Sequence, residues 1–350
     1  MIRIRTARQA DKATIRALAG KTGPGMTSLQ DDDDYIQSLI DDSAEAFSGM
    51  APEEAYYLFI MEDMATGKVI GTSAIATGIG LEEPFYNYRL GTLVHASPEL
   101  NVRRQVQVLS VTHDMTGYSE LCSLFLDPDY RGGINGHLLS KCRFLLVADY
   151  TERFSPSLIA EMRGYSDSDG KSPFWDAVGS HFFDLDFDHA DSLSAFNKVF
   201  IAQLMPKYPI YTNLLPESAV EVIGMTHPDT TPARRLLESE GLRFNNYVDI
   251  FDAGPVMEAR VDHIRAVRES QVGKIAIDNV TEGDEIWMLS NMDLENFICT
   301  ASAAVAVKGD TIVIGQELAD ALEVHQGQLL RAVPLFSDKR TKNKSQGEEE

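Results

Sequence analysis

The chain has 350 residues, 44% of them hydrophobic and 24% charged, a balance that gives a globular protein room for a sizeable core. Its 53 acidic against 31 basic side chains leave a formal charge of -22, which repels phosphate backbones and anionic membranes and argues against nucleic acid or a lipid surface as partner. The opening MIRIRTARQADKATIRALAG lacks an apolar stretch before a small-residue cleavage site, and no window is apolar enough to span a bilayer, so a cytoplasmic location is expected.

Along the chain, Ile2 and Ile4 alternate with Arg3 and Arg5 to predict a short strand, and Ala13, Ile15, Leu18 and Ala19 follow at helical spacing. The segment KTGPGMTSL, residues 21–29, places two glycines and a proline in a loop longer than a turn needs, suited either to lining an acceptor pocket or to a plain surface turn. Residues 56–76 predict a hairpin turning at Thr66 and Gly67, whereas residues 78–118 mix strand-like and loop-like pieces without a clear order. ELCSLFL, residues 120–126, is a compact apolar strand that ends at Asp127-Pro128. After Arg131 and the glycines, Leu138, Leu139, Cys142, Leu145 and Leu146 recur at three- and four-residue intervals, which puts one apolar stripe on a helix. SLIAEMRG, residues 157–164, predicts another strand. SPFWDAVGSHFFDLDF, residues 172–187, predicts a helix opened by Ser-Pro and then an alternating strand, and residues 231–252 repeat the order helix, glycine, strand.

From about Gln271 short β-rich runs are separated by turns at Gly309-Asp310 and Gln326-Gly327, and the closing SDKRTKNKSQGEEE is nearly free of apolar residues. The expected organisation is therefore a core over residues 1–190, an additional α/β segment over 191–270, a β-rich region over 271–337 and a disordered tail over 338–350. Cys122, Cys142 and Cys299 are far apart and flanked by apolar residues, which suits reduced core positions; no cluster of His and Cys has zinc-finger spacing, and no metal is expected.

The chemistry concentrates where the 120–126 strand meets the helix. A glycine-rich turn there presents backbone N–H groups beside the positive end of a helix dipole, which makes a receptor for phosphate oxygens, although such turns also serve as tight connections. Neither a P-loop nor a dinucleotide fingerprint fits Arg131-Gly132-Gly133-Ile134-Asn135-Gly136. The order of elements around it resembles the GNAT superfamily of CoA-dependent N-acyltransferases, which implies a mixed α/β sheet with flanking helices. In that superfamily a Gln/Arg-x-x-Gly-x-Gly/Ala motif binds the acyl-CoA pyrophosphate. Arg131 and Gly136 match its outer positions, Ile134 replaces the middle glycine, and Gly132 and Gly133 are on hand to supply flexibility.

Over residues 1–270 the segments KTGPGMTSL, EPFYNYRLGTLVHASPELNV, SELCSLFLDPDYR, SPFWDAVGSHFF, AQLMPKYPIYTNLLP and NNYVDIFDAGP, with the Gly-x-x-His-Pro of residues 224–228, resemble the arginine N-succinyltransferases. The resemblance implies transfer of succinyl from succinyl-CoA to the α-amine of L-arginine in arginine catabolism, with homo- or hetero-oligomeric association. Ornithine or acetyl-CoA as substrates, or a non-catalytic CoA-binding subunit, are the alternatives. It places Leu124, with Leu126 on the same strand, at the coenzyme, where a leucine acts through its backbone N–H on a thioester carbonyl; without the resemblance both are ordinary core residues.

His227 matches the family's proton donor, and an imidazole suits a reaction in which an amine loses a proton and a thiolate gains one; the alternative is that it only orders a turn. Direct attack by the amine needs no covalent intermediate, and Cys122 on an apolar strand is a poor thiolate. Arg89 and Arg163 are each suited to a substrate carboxylate or to a structural ion pair. His95 and His181 are expected to pack or hydrogen-bond within the fold, and His137 carries no distinguishing context.

Overall fold

The structure, a computed structural model, describes residues 1–22, 26–49, 53–187, 190 and 199–337. The expected tail over 338–350, residues 23–25 of the 21–29 loop and residues 191–198 of the additional segment lie outside the described residues.

The strands are β1 (Ile2–Thr6), β2 (Tyr56–Asp63), β3 (Lys68–Ala76), β4 (Asn87–Ser97), β5 (Val102–Thr112), β6 (Ser119–Leu126), β7 (Ser157–Glu161), β8 (Ile210–Tyr211), β9 (Arg243–Asp249) and β10 (Pro255–Arg260). They continue with β11 (Gln271–Ile277), β12 (Trp287–Ser290), β13 (Ile298–Ser302), β14 (Val305–Lys308), β15 (Thr311–Ile314) and β16 (Leu329–Pro334). One hydrogen-bonded sheet joins them in the order β14-β15-β11-β16-β12-β13-β1-β2-β3-β6-β7-β10-β9-β4-β5-β8. The segment over 78–118, unordered in sequence, is a long hairpin whose strands pair from Asn87↔Thr112 to Ser97↔Val102. The β-rich end is continuous with the core through the antiparallel pairing of β13 with β1, Ile4 facing Cys299.

Both faces of the central strands are covered, which is why β2 reads as an unbroken apolar run. Its Tyr57, Phe59 and Met61 point to one core and Leu58 and Ile60 to the other. The second core is closed by α1 (Lys12–Ala19) and α2 (Asp33–Phe47), through Ile15, Leu18, Ile36, Leu39 and Ile40. The first is closed by α3 (Asn135–Asp149).

Two expectations are corrected. The single apolar stripe on α3 understates its burial: the helix is buried all round from Leu138 to Val147, Lys141 and Arg143 included, because the helices Thr231–Glu240 and Arg265–Glu269 and the end of β16 cover its outer side. Lys141 survives there by reaching Glu240, at 2.9 Å, and the Leu335 carbonyl; Glu240 also holds Arg265, at 2.8 Å. The alternating strand at the end of residues 172–187 is absent. After the helix Pro173–Ala177 the chain makes a tight turn, and Phe183 and Phe187 both fold back on Trp175, at 5.5 and 6.2 Å between ring centres. One aromatic cluster, closed by Phe251, outweighs the two-residue period.

Candidate active site

β6 and β7 run parallel but pair only at Ser119↔Leu158 and Glu120↔Ile159, and beyond those rungs they part. The cause on the β6 side is a bulge: the register with β3 jumps from Ala74↔Cys122 to Thr72↔Phe125, and Ser123 takes φ +50°. The extra residue resets the alternation, so that Leu121, Leu124 and Leu126 share one core and Cys122 and Phe125 the other.

A left-handed serine is unfavourable by roughly 1–2 kcal/mol and must be held. Ser123 donates its N–H to Ser28 Oγ at 3.1 Å and its hydroxyl to the Ser28 carbonyl at 2.6 Å, its own carbonyl accepts from Thr72 Oγ1 at 2.9 Å, and its hydroxyl also meets the Tyr56 hydroxyl. Beneath it lies the buried guanidinium of Arg143, which donates to the carbonyls of Ala74, Cys122 and Ser140.

On the other side β7 is drawn away by β10, with Glu161 opposite Val256 and Met162 N–H on the Pro255 carbonyl. Gly254 makes the approach possible, because a Cβ there would lie 2.0 Å from the Met162 carbonyl oxygen.

The fork opens a cavity of about 1050 Å³. Leu124, Leu126, Arg131, Gly132, Gly133 and Gly136, all expected at the coenzyme, line it, as do Thr22, Met26, Thr27 and Ser28 of the 21–29 loop. Gly132 and Gly133 adopt φ +107° and +55°, the left-handed region that favours glycine. Ile134 sits at the α3 N-cap at φ -100° and ψ -7°, a right-handed geometry open to any residue, and packs against the core, which accounts for its place where the superfamily motif has glycine. Ile134 has no polar side chain to cap α3, so among the described residues no N-cap side chain bonds its first-turn amides. Arg131 is exposed on this rim, Nε donating to the Leu126 carbonyl at 3.3 Å.

His227 follows the bridge Gly164↔Thr226, which brings its loop against the end of β7: its N–H donates to the Arg163 carbonyl at 2.8 Å. Its Nδ1 accepts from Asp229 N–H at 3.2 Å and caps the short turn Pro228–Thr230, so the neutral ring carries its proton on Nε2. Burial, then the Arg163 charge, lowers its pKa below the usual value against the pull of Asp229. His227 itself does not line the cavity, whereas its neighbours Arg163, Asp229 and Thr230 do. Arg89 is away from the cavity, 61% exposed and paired with Asp114 at 3.7 Å, so its structural reading holds. Burial pushes the Cys122 thiol up to about 12, which leaves no thiolate for an acyl-cysteine route.

His95 and His181 are exposed rather than packed inside, His95 lying 6.0 Å from the Tyr211 ring. His137, in contrast, lines the cavity in the first turn of α3 against Phe336; its Nδ1 is buried without a partner, and burial lowers it to about 4. Its position just past the glycine turn was the available signal. Arg143 and the Ser28–Ser123–Tyr56 group carried none. Among the described residues no group of His, Cys, Asp and Glu could hold a metal, and no helix is long and apolar enough to cross a membrane.

A parallel strand pair forked over a cavity, with a glycine-led helix at its mouth, is the GNAT-like arrangement that the sequence led one to expect. Residues 2–266 match the family described as arginine N-succinyltransferase beta subunit, and residues 268–334 match that family's C-terminal domain; the chain belongs to this family, and it is an acyltransferase. It is 47% identical over 339 residues to the arginine N-succinyltransferase subunit beta of Pseudomonas aeruginosa, covering 96% of this chain and 99% of that protein. It is 45% identical over 346 residues to an arginine N-succinyltransferase of Yersinia enterocolitica, covering 98% and 100%. Among solved structures, the arginine/ornithine succinyltransferase subunit AI of Pseudomonas aeruginosa superposes with a TM-score of 0.89 at 36% identity, over 96% of this chain and 99% of that one.

Proposed function

We propose that this chain transfers the succinyl group of succinyl-CoA to the α-amine of L-arginine by direct attack of the amine on the thioester. The observation that carries the reading is the fork itself, which opens beside a phosphate-receptive turn in a chain of this family. The coenzyme diphosphate rests on the amides after Gly132 and Gly133, with Arg131 and Arg235 as cations on the cavity wall, and the pantetheine arm runs between β6 and β7. The bulge at Ser123 aims the Leu124 N–H at the thioester carbonyl, where it stabilises the oxyanion that forms as the C–N bond is made. Collapse of that intermediate breaks the C–S bond and expels the CoA thiolate.

The amine must shed a proton and the thiolate must gain one. His227, neutral at pH 7, takes the first and supplies the second; because it stands behind Arg163, Asp229 and Thr230 on the cavity wall and its Nδ1 is occupied by Asp229 N–H, accepting the proton requires that this bond open and the ring turn towards the cavity. Among the acids on the cavity wall, Glu120 stands at the last rung of the fork and Glu161 on β7 two residues beyond it, fixed by Asn87 Nδ2 at 2.7 Å, and they suit the cationic acceptor. Incubation with succinyl-CoA and arginine, with thiol release and product mass as readouts, is expected to give succinylarginine. Ornithine and acetyl-CoA, run in the same matrix, rank the alternatives, and absence of CoA release with every pairing sinks the reading.

A further inference from the structure

Arg163 stands just past β7, on the arm of the fork opposite the bulge, and lines the cavity. Its backbone carbonyl accepts from His227 N–H and its Nη2 donates to Ser166 Oγ at 3.1 Å, but its Nε is buried and has no hydrogen-bond partner. Among the described residues no carboxylate lies within ion-pair distance of it, whereas Arg265 has Glu240, Arg331 has Asp149 and Arg5 has Asp11. Arg143, which also has no carboxylate, directs its donors to three main-chain carbonyls instead.

Two acids that line the same cavity, Asp249 and Asp252, are engaged by main-chain N–H groups. Asp252 accepts from the N–H groups of Gly164, at 2.6 Å, and Gly254, at 2.7 Å, and Asp249 from those of Phe251 and Asp252. A guanidinium with a desolvated, unpaired N–H is unfavourable by itself, and its planar fork of donors matches a carboxylate in two-point geometry. The position beside His227 puts that fork next to the group that handles the protons.

We infer that Arg163 is the carboxylate anchor of the acyl-transfer site, its guanidinium turning into the cavity so that Nε and a terminal nitrogen receive a free substrate carboxylate. The inference rests on the acyl-transfer reading above. Both reactants in that reading carry such a group: the far end of the succinyl chain and the α-carboxylate of arginine.

The test compares the wild-type protein with Arg163→Gln and Arg163→Lys on two pairs of substrates, each pair differing in one carboxylate: succinyl-CoA against butyryl-CoA, and arginine against agmatine. Turnover is read first, and competitive inhibition where turnover is too slow. The Gln variant is expected to lose about 100-fold in kcat/KM for the carboxylate-bearing member of one pair and little for its partner, because only that member leaves a charge unmatched. The Lys variant, which keeps the charge but not the fork, is expected to lose about 10-fold and gives the same readout if the Gln variant does not fold.

Collapse of the succinyl/butyryl preference assigns the donor's carboxylate, and collapse of the arginine/agmatine preference the acceptor's. Preservation of both preferences, or an equal loss with all four compounds through a disturbed His227, overturns the anchor. A wild-type protein that fails to join succinyl-CoA and arginine would instead sink the reading on which the anchor rests.

Discussion

Around the bulge of β6, polar groups are matched inside the protein: Ser123 is held by Ser28, Thr72 and Tyr56, and Arg143 secures the carbonyls of Ala74 and Cys122. Past the end of β7, the Nε of Arg163 has no partner, and His227, whose lowered pKa reflects burial beside that cation, is fixed through one ring nitrogen. The first arm is built as a scaffold whose geometry is settled within the protein; the second keeps groups whose bonding, on the proposals above, a ligand completes. Substitutions on the two arms should therefore fail differently, the β7 arm in turnover at unchanged stability and the β6 arm in stability and turnover together.

The sharpest break is at His227. His227→Ala is expected to lower kcat by about 100- to 10,000-fold, the usual worth of a proton-transferring group, while isothermal titration shows CoA binding within about 2-fold of wild type. If CoA binding falls in step with kcat, His227 acts through the turn it caps, and the contrast between the arms fails on the β7 side. On the β6 arm, Arg143→Met removes a buried charge, which by itself relieves desolvation, but it strips the donor from the carbonyls of Ala74 and Cys122. These two carbonyls, with that of Ser140, which also loses an Arg143 donor, outweigh the relief, and the expected net is a loss of about 2 kcal/mol in denaturant stability together with reduced turnover. Full stability with reduced turnover would make Arg143 a residue of the reaction rather than of the scaffold.

The contrast also marks what could be read from the sequence. The 120–126 strand, the glycine turn and the helix after it were legible because their signals are local: an apolar run, left-handed glycines and three- and four-residue periodicity. The fork was not, because it depends on a left-handed serine held by a residue 95 positions away. Arg89 and Arg163 looked alike along the chain; only the third dimension gives one an aspartate and the other an open cavity. Lys141 and Arg143 fall outside the apolar stripe of a helix that has no solvent side, Lys141 being covered by segments about a hundred or more residues downstream and Arg143 by the main chain of β3 and β6. The loss of the expected strand over 182–187 has the same origin in aromatic contacts with Trp175.

A smaller effect sharpens the scaffold side. Tyr56→Phe deletes the hydroxyl that meets Ser123 Oγ and accepts from the Cys122 thiol, and burial already holds that phenol far above its ordinary pKa, so no ionised form is lost. About 1 kcal/mol of stability should go, read as a lower midpoint in urea, with the bulge kept by its remaining bonds to Ser28 and Thr72. A loss of turnover well beyond that would show that the bulge is poised rather than fixed.

The last effect lies at the mouth of the cavity and shows only as the pH falls. Burial first, and then Lys141, lowers His137 from its ordinary 6.5 to about 4. The unfolded chain therefore binds a proton at this ring before the folded one does. The stability that the neutral ring contributes is complete above pH 6.5 and drains away as pH falls towards 4. His137→Gln cannot titrate, so its melting temperature should fall less steeply than the wild type's between pH 6.5 and 5, the other acid-sensitive groups being common to both. A coenzyme phosphate seated on the first turn of α3 would favour the charged ring and raise its pKa. Added CoA should then flatten the wild-type slope and leave the slope of the Gln variant unchanged. Equal slopes for the two proteins without CoA would remove His137 as the group responsible, and a CoA effect of the same size in both would place the phosphates away from this turn.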